Sequence, residues 1–503
     1  MNTTDDQAST QLFEKAEKIY PRRVKGNFRS LKWVAMIVLL GIYYGAPWLR
    51  WDRGPHVPDQ AILIDLVGQR GYFFGIEIWP QEVYLLVGVL ILAAVGLFFA
   101  TALLGRVWCG FACPQTVWTD LFVWVERFVQ GDRNARRKLD QSKWTLEKVW
   151  KKSLTHSIWL VIGMLTGGAW VFYFNDAPTL FDHIIHFDVS WTVLGWVIAL
   201  TLSTYFMAGF ARENICTYVC PYSRFQSAMF DKDTLIVTYE TERGEPRGKH
   251  KAGTSWEGRG HCIDCTACVV VCPMGIDIRD GLQIECISCG LCIDACNEVM
   301  DKVGLPRGLI RYDTETNQKA RQGAGRTYSL DISHRKASDV TSAVTEPAVV
   351  RQPAIKEKIR WIRPRTIGYA LILSVVGSLM LGAILTRADT EVNVIHNRAP
   401  QFVRLSDGSI RNNYQIKVLN KSHDDRHYQV SAPDLKGAQI TVLAAGDRPV
   451  EQIDVPANSV GEFRLMIVVP PAGSDADKRQ DIAIVLKDSQ SGKETFGDSY
   501  FAR

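Results

Sequence analysis

The sequence lacks a secretory signal. Its first residues, MNTTDDQASTQLFEKAEKIYPRR, are polar and contain no apolar core of the kind that a signal peptide requires. We therefore expect the first apolar run to be retained as a membrane helix. Cysteine is absent before Cys109 and after Cys296, although the chain of 503 residues contains twelve. This confinement excludes a disulfide framework spread through a secreted fold and indicates metal sites.

Charged residues are scarce in five apolar runs, each long enough to cross a bilayer, which takes about 20 helical residues. The runs lie near Leu31–Leu49, Val83–Leu104, Ser157–Phe174, Trp191–Phe210 and Ile367–Leu385. The net charge of +5 is modest, and the positive residues cluster at the ends of these runs. Such clusters favour membrane orientation over nucleic acid binding.

Lys and Arg are missing from the loop 175–190 and number only two in the loop 51–82. By contrast, residues 1–32 contain seven, residues 106–155 contain ten and residues 351–365 contain six. The positive-inside rule therefore predicts that the N-terminus and residues 106–155 and 211–365 are cytoplasmic. The C-terminal region is then expected outside the inner membrane, in the periplasm.

Two matched cysteine pairs stand at the ends of the second and fourth runs, in WCGFACP (108–114) and ICTYVCP (215–221). Residues four apart share one face of a helix, so each pair can present two sulfurs side by side. The proline after each pair predicts a break or kink beside the second thiol. The repeated spacing suggests a duplicated helical hairpin that brings both pairs to a pseudo-twofold axis.

Four converging thiols would form a soft site suited to Cu(I), zinc or an iron–sulfur cluster. The residues concerned are Cys109, Cys113, Cys216 and Cys220. The alternative is that they are buried, inert cysteines, which are common in apolar helices. The shared spacing and the shared proline favour the metal site.

Two further runs, CIDCTACVVVCP (262–273) and CISCGLCIDAC (286–296), each have the spacing C-x₂-C-x₂-C-x₃-C of a two-cluster bacterial ferredoxin. Zinc sites use two C-x₂-C pairs instead. Because the fourth cysteine of each run ligates the other cluster, we expect two [4Fe–4S] sites. The first would use Cys262, Cys265, Cys268 and Cys296, and the second Cys286, Cys289, Cys292 and Cys272.

The last hundred or so residues change to a period-two pattern, as in NYQIKVLNKS and EFRLMIVVPP, which predicts a small β-sandwich. The fold class expected is a multi-domain membrane protein, with a five-helix α domain, an α+β ferredoxin-type domain and an immunoglobulin-like β-sandwich. The expected divisions are an N-terminal segment (1–30), four spans with both CxxxCP motifs (31–230), the ferredoxin domain (231–312), a linker (313–365), the fifth span (366–386) and the sandwich (387–503).

These features together resemble the CcoG/RdxA/FixG family of cytochrome c oxidase accessory proteins. The resemblance rests on the two CxxxCP spans, RGEPRG, the two-cluster ferredoxin motif and FVRLSDGSIRNNYQIKVLNK, and it covers nearly the whole chain. It implies a role in assembling the cbb(3)-type oxidase by reducing Cu(II) to Cu(I), with Cys109, Cys113, Cys216 and Cys220 as the copper site. Copper is then a substrate or bound ion.

The resemblance also implies partners: the lipid bilayer, oxidase assembly factors, and copper chaperones or transporters. The electron donor, cytoplasmic or quinol, stays open, as does a homodimer, and no nucleic acid partner is expected. Two other functions compete with this one. The chain also resembles NapH-type ferredoxins, which would make it a membrane quinol dehydrogenase, or it could be a scaffold or copper chaperone without enzymatic activity.

Overall fold

The structure is a computed structural model that describes residues 18–54, 57–250, 256, 258–323, 359–444, 448–471 and 479–503. It divides the chain into two compact units. The first holds the first four apolar helices, the ferredoxin-type segment and most of the fifth helix. The second holds residues 379–503 together with 50–61 and 74–76.

Five helices in the described residues are long and apolar enough to cross a membrane, as the sequence predicts. They are Asn27–Trp48, Pro80–Leu104, Leu146–Val171, Trp191–Val219 and Pro364–Leu385, called here the first to fifth spans. The third span begins earlier than its apolar run, because the Thr145 side chain caps it by accepting a hydrogen bond from the backbone N–H of Lys148 at 3.2 Å. The fourth extends further, because two π-helical turns lengthen it.

Two helices follow the second span, Pro114–Gln130 and Arg133–Gln141. The first of these is rich in aromatic residues, as its sequence PQTVWTDLFVWVERFVQ shows. In the structure it packs against the third span, with Phe122 stacked on Trp159 at a centroid distance of 5.1 Å. Its Asp120 pairs with Arg29 of the first span at 2.8 Å. Shorter elements occupy the loops between spans: strands Ile62–Asp65, Arg70–Phe73 and Ile76–Ile78, and helix Ala177–Ile185.

The ferredoxin-type segment contains the helices Ala267–Val271 and Leu291–Val303. Strand Ile236–Tyr239 pairs antiparallel with Ile310–Asp313 beside them. The helix Glu315–Gly323 follows, so the first part of the expected linker is folded; Arg321 on this helix forms an ion pair with Asp313. Residues 324–358, the rest of that predicted linker, lie outside the described residues.

The second unit contains two antiparallel sheets. One has the strand order Arg448–Val450, Gln439–Ala444, Ser459–Val469, Ile410–Asn420 and Thr390–His396, with Val403–Arg404 also paired to Ile410–Asn420. The other has the order Ile453–Val455, Arg426–Ser431, Arg479–Asp488 and Glu494–Ala502. Alternate residues such as Ile416, Leu465 and Ile484 are fully buried between the sheets, as period-two patterning requires. This is the immunoglobulin-like sandwich expected from the sequence.

Candidate functional site

Each CxxxCP motif forms a π-helical turn, Trp108–Ala112 in the first and Ile215–Val219 in the second. In both turns the backbone N–H of the second cysteine donates to the carbonyl five residues earlier, Cys113 to Trp108 and Cys220 to Ile215, at 2.8 Å. The helix that each pair was expected to share is therefore widened by one residue. Such π-turns are rare and occur frequently at functional sites.

A new helix begins directly after each pair, at Pro114 and at Pro221, because proline is well suited to the first helical position. Cys113 and Cys220 are the residues that precede these helices, and both have extended backbones. Two of the four thiols consequently lie at helix N-termini.

The two motifs contact each other crosswise. The Cys109 thiol donates to Oε1 of Gln226, on the helix after the second pair, at 3.2 Å. Gln115, on the helix after the first pair, donates to the carbonyls of Met207 and Arg212 at 2.8 and 3.1 Å. Cys109 interacts electrostatically with Cys113, Cys216 and Cys220, so the structure brings the four thiols into one neighbourhood.

A buried arginine connects this neighbourhood to the ferredoxin-type segment. Arg106, only 3% exposed, donates through Nε to Gln226 at 3.0 Å and through Nη2 to the Ser223 carbonyl. Its Nη1 donates to the carbonyls of Ile284 and Cys286. One guanidinium thus holds together the first motif, the helix after the second motif and the loop that carries Cys286. This role is not visible in the sequence, because a single arginine at the end of a span is typical of an orientation residue.

The first motif also lies directly against that loop. A Cβ added to Gly110 would be 2.7 Å from the Ile287 carbonyl oxygen and 3.1 Å from Cα of Cys289. Cys109 packs against the apolar cluster that includes Cys289. The spacing between Cys109 and Cys289 is therefore set by direct backbone contact, which needs glycine at position 110.

The eight remaining cysteines fall into two groups. Cys296 interacts electrostatically with Cys262, Cys265 and Cys268, and Cys272 with Cys286 and Cys289. Cys292 interacts with Cys272, Cys286 and Cys289, and also with Cys268. One cavity is lined by the whole second group together with Cys268. The assignment of these cysteines to two [4Fe–4S] clusters stays the prediction made from the ferredoxin spacing.

The backbone between these cysteines is unusual. Asp264, Thr266 and Ser288 have φ values of 49°, 54° and 51°, in the left-handed region that non-glycine residues seldom adopt. For a β-branched residue such as Thr266 this conformation is a genuine outlier. Left-handed residues turn the chain sharply, which lets closely spaced cysteines converge instead of alternating outward. The cysteine spacing predicts convergence but does not show which intervening residues carry the strain.

Burial raises the pKa of most of these thiols. It raises the pKa of Cys109, Cys272 and Cys296 to about 12, and that of Cys268 and Cys286 to about 11. The pKa of the Cys292 thiol is also raised well above its ordinary value by burial. Thiols in this state are neutral until a metal displaces their protons, so metal loading and proton release are coupled.

The donor sets fit iron–sulfur clusters, because each group supplies four soft sulfur ligands within a buried segment. Within the described part of the chain, no three His, Cys, Asp or Glu side chains already stand together as a metal-binding group.

A buried ion-pair cluster supports the second motif, and sequence reasoning missed it. Arg212, which precedes Cys216 by one turn, donates to Glu126 at 2.7 Å, and Arg136 donates to the other oxygen of Glu126 at 2.8 Å. Burial alone would raise the pKa of Glu126, but the two guanidiniums outweigh it and hold that pKa below its ordinary value. The sequence around Glu126 does not show this partner, because Arg212 lies 86 residues further along the chain.

Three family models match the chain. Residues 86–133, which include the first cysteine pair, match a 4Fe-4S binding domain. Residues 211–315, which include the second pair and all eight later cysteines, match a 4Fe-4S dicluster domain. Residues 380–503 match the IG-like fold at the C-terminus of FixG.

Full-length relatives share the same order. The chain is 46% identical to the nitrogen fixation protein FixG of Rhizobium meliloti, over 95% of this chain and 91% of the relative. It is equally identical to protein RdxB of Cereibacter sphaeroides, over 99% of both chains. A FixG-related protein from Vibrio parahaemolyticus, of known crystal structure, aligns with 23% of this chain and 97% of its own at 18% identity and a TM-score of 0.20. The protein is an iron–sulfur electron-transfer protein of the membrane, and it belongs to the FixG/RdxA family of ferredoxin-type proteins.

Proposed function

We propose that this protein reduces Cu(II) to Cu(I) at Cys109, Cys113, Cys216 and Cys220 and so provides copper for assembly of a cbb(3)-type oxidase. The observation that carries the proposal is the direct contact between the first thiol pair and the loop of Cys286 and Cys289. Electron-transfer groups and a soft-metal site this close together suit a one-electron reduction of a bound metal.

The residues that would hold the two [4Fe–4S] clusters are the two cysteine groups described above. When bound, the clusters supply one-electron transfer. No role in holding them is assigned to Cys109, Cys113, Cys216 or Cys220 in this proposal.

The thiol site favours the product of the reduction. Cu(II) prefers nitrogen and oxygen ligands, whereas Cu(I) prefers thiolates, so four sulfurs bind the reduced ion more strongly. The charge of Arg106, which acts on Cys109, offsets part of the negative charge of a thiolate site. Each Cu(II) takes up one electron, and the thiolates stay in the same oxidation state throughout.

The proposed setting is the bacterial inner membrane, with the N-terminus, both motifs and the ferredoxin-type segment on the cytoplasmic side. Support comes from the distribution of Lys and Arg between the loops. The sandwich would then face the periplasm, where it could position copper chaperones or oxidase assembly factors.

The test uses the purified, anaerobically reduced full-length protein. Cu(II) is added together with a Cu(I)-specific chelator, and Cu(I) formation is followed alongside the visible absorbance of the iron–sulfur clusters. The variant carries serine at all four CxxxCP positions, and wild-type iron content is the control for its integrity. We expect the wild type to produce Cu(I) and the variant, with its iron retained, to produce almost none. Equal rates would exclude the thiol pairs as the copper site.

A third iron–sulfur cluster at the same four thiols is the competing function, favoured by the match of residues 86–133 to a 4Fe-4S binding domain. Iron analysis separates the two, since two clusters require about eight irons per chain and three require about twelve. If the quadruple serine variant loses about a third of the wild-type iron, the thiols hold a cluster. If iron content is unchanged, copper is the better occupant.

A further inference from the structure

A second cavity lies beside the thiol site, between the third span and the π-helical segment that ends the fourth. Its volume is about 310 Å³, within the range of about 300 to 1,000 Å³ typical of small-molecule sites. Its lining includes Lys152, His156, Trp159, Phe210, Arg212 and Glu213. None of these residues takes part in the reaction proposed above, so the cavity needs its own explanation.

Aromatic rings form one wall. Phe210 lies parallel to His156, with the ring centroids 5.8 Å apart and the planes at 10°, and it meets Trp159 nearly at a right angle at 6.3 Å. Flat faces and edges arranged in this way suit a planar aromatic guest. Phe206 stacks on Phe210 at 6.4 Å and is exposed on the fourth span, so the apolar wall continues onto the span's outer surface. A guest with a lipid-soluble tail could therefore extend along it.

The cationic side chains around the cavity are already paired. Lys18 and Lys152 both pair with Asp140, at 2.9 and 2.5 Å, and Arg212 pairs with Glu126 at 2.7 Å. These cations are neutralised by carboxylates, which argues against an anionic guest such as a phosphate headgroup. A neutral guest fits this charge balance better.

Two groups in the lining can accept protons. The Glu213 carboxyl forms no ion pair with any residue that the structure describes. The Nδ1 of His156 is hydrogen-bonded to the Tyr205 hydroxyl at 3.0 Å. In the tautomer in which Nδ1–H donates to that hydroxyl, Nε2 accepts a hydrogen bond from a guest. A guest with two hydroxyl groups could donate to both side chains, and both are ordinary proton acceptors.

The cavity borders the thiol site. Arg212 and Glu213 also line a neighbouring cavity, whose other walls include Cys216, Met274 and Ile287. Glu213 and Cys216 are one turn apart and interact electrostatically. A guest held against Glu213 is therefore separated from the proposed copper site by only one turn of backbone.

We propose that this cavity binds a membrane quinol and that the quinol is the reductant for copper; the proposal rests on the function proposed above. Oxidation of one quinol to quinone breaks two O–H bonds and yields two electrons and two protons. The electrons convert two Cu(II) to two Cu(I), and the protons leave through Glu213 and His156. The neutral, dihydroxylated ring matches the paired charges, the aromatic wall and the two proton acceptors.

The first test measures binding, independently of turnover. Full-length protein with its clusters, in lipid nanodiscs, is titrated with a radiolabelled short-chain ubiquinone, and a photoactivatable analogue locates the bound ring. Phe210→Trp narrows the cavity, and overpacking of this kind should weaken binding about tenfold or more. Phe225→Trp is the matched control, because Phe225 is exposed and does not line the cavity. We expect labelling on the third span and near Phe210, and binding by the control within about twofold of the wild type.

The second test separates this proposal from the copper function. Cu(I) formation is started in one of two ways. Either the short-chain ubiquinol is added, or Cu(II) is added to protein whose clusters were reduced with dithionite and then freed of the excess, because free dithionite reduces Cu(II) without the protein; the second rate is called the dithionite-driven rate. Phe210→Trp should lose the quinol-driven rate and keep the dithionite-driven rate, which also shows that it is folded. The quinol proposal is overturned if the wild type shows no saturable binding, if anionic phospholipid displaces the analogue, or if Phe210→Trp binds normally. Loss of the dithionite-driven rate in the wild type would instead overturn the copper function.

Discussion

The two CxxxCP motifs have the same spacing, each forms a π-helical turn, and a helix begins directly after each. Their surroundings, however, differ. The first is enclosed: Cys109 is bonded to Gln226, and Gly110 touches the loop of Cys286 and Cys289. The second is open: Cys216 lines a cavity, and the position equivalent to Gly110 is Thr217, whose hydroxyl bonds back to the Glu213 carbonyl at 3.1 Å. Two motifs of the same spacing therefore have two different environments.

The difference suggests a division of roles. The enclosed motif fixes the distance to the ferredoxin-type segment, because its backbone leaves no room for movement. The open motif adjoins cavities through which an ion or a small molecule can enter. Substitutions that disturb the two motifs separately should therefore have distinct effects, and the following predictions run from the largest expected effect to the smallest.

Glu126→Gln should cause the largest loss of stability, and it acts beside the open motif. The change leaves Arg136 and Arg212 without their shared counter-charge, and an uncompensated buried charge costs about 3 to 5 kcal/mol in free energy of unfolding. Thermal unfolding in detergent micelles measures the effect. The exposed Glu147→Gln is the control, and an equal change in both variants would contradict the prediction.

The interaction of Glu126 with its two arginines also predicts a pH dependence of stability. Because the pKa of Glu126 is lowered in the folded protein, its contribution to stability is fully present above the unfolded value of about 4.3. It is lost as the pH falls through the folded pKa. The difference in stability between wild type and Glu126→Gln should therefore shrink as the pH is lowered below about 4, and a difference that grows would be the opposite result.

Arg106→Met should cause the second largest loss of stability, and it acts beside the enclosed motif. It removes a cation that donates to Gln226 and to the carbonyls of Ser223, Ile284 and Cys286. Because several buried acceptors are left unpaired, we expect the free energy of unfolding to fall by about 3 kcal/mol. Iron should also be released faster to a chelator. Arg106→Lys should rescue only part of it, because an ammonium lacks the planar fork of a guanidinium. The exposed Arg137→Met should release iron at the wild-type rate.

The residues named so far show where sequence reasoning succeeds and where it stops. The five spans, the β-sandwich and the cysteine motifs follow from apolar length, period-two alternation and ligand spacing, which are local properties. The roles of Arg106 and Glu126 depend on partners far away in the chain, such as Cys286 and Arg212. Single-chain patterns carry no information on such pairs. Both of these charged residues are buried, which their local sequence does not show.

Gly110→Ala should have an intermediate effect and compares the motifs directly. The new methyl group would meet backbone atoms of Ile287 and Cys289, which cannot move aside as a flexible side chain could. Overpacking of this kind costs about 2 kcal/mol and should push the first pair away from the loop. Thr217→Ala, at the equivalent position of the second motif, should change stability by less than about 1 kcal/mol. Thermal unfolding and the dithionite-driven Cu(I) rate report both variants, and equal losses would mean that the motifs are not asymmetric.

Asp294→Asn should have the smallest effect on stability. It tests whether the N-termini of the first and third spans are capped in different ways. The carboxylate of Asp294, on the ferredoxin-type helix, accepts from the backbone N–H groups of Phe28 and Arg29 at 3.3 and 2.8 Å, so it caps the first span from outside. The third span has its own cap in Thr145. Loss of the carboxylate charge at a helix N-terminus should cost about 1 kcal/mol.

The two capping variants should differ in their effect on the clusters, although they lose similar stability. In Asp294→Asn the ferredoxin-type segment and the first span lose a shared contact, so the electron paramagnetic resonance spectrum of the reduced clusters should change together with stability. Thr145→Ala should cost a similar free energy, about 1 kcal/mol, with an unchanged spectrum, because its hydrogen bond lies wholly within the third span. If Thr145→Ala altered the spectrum as much, the first and third spans would support the clusters equally. The division between an enclosed and an open motif would then not hold.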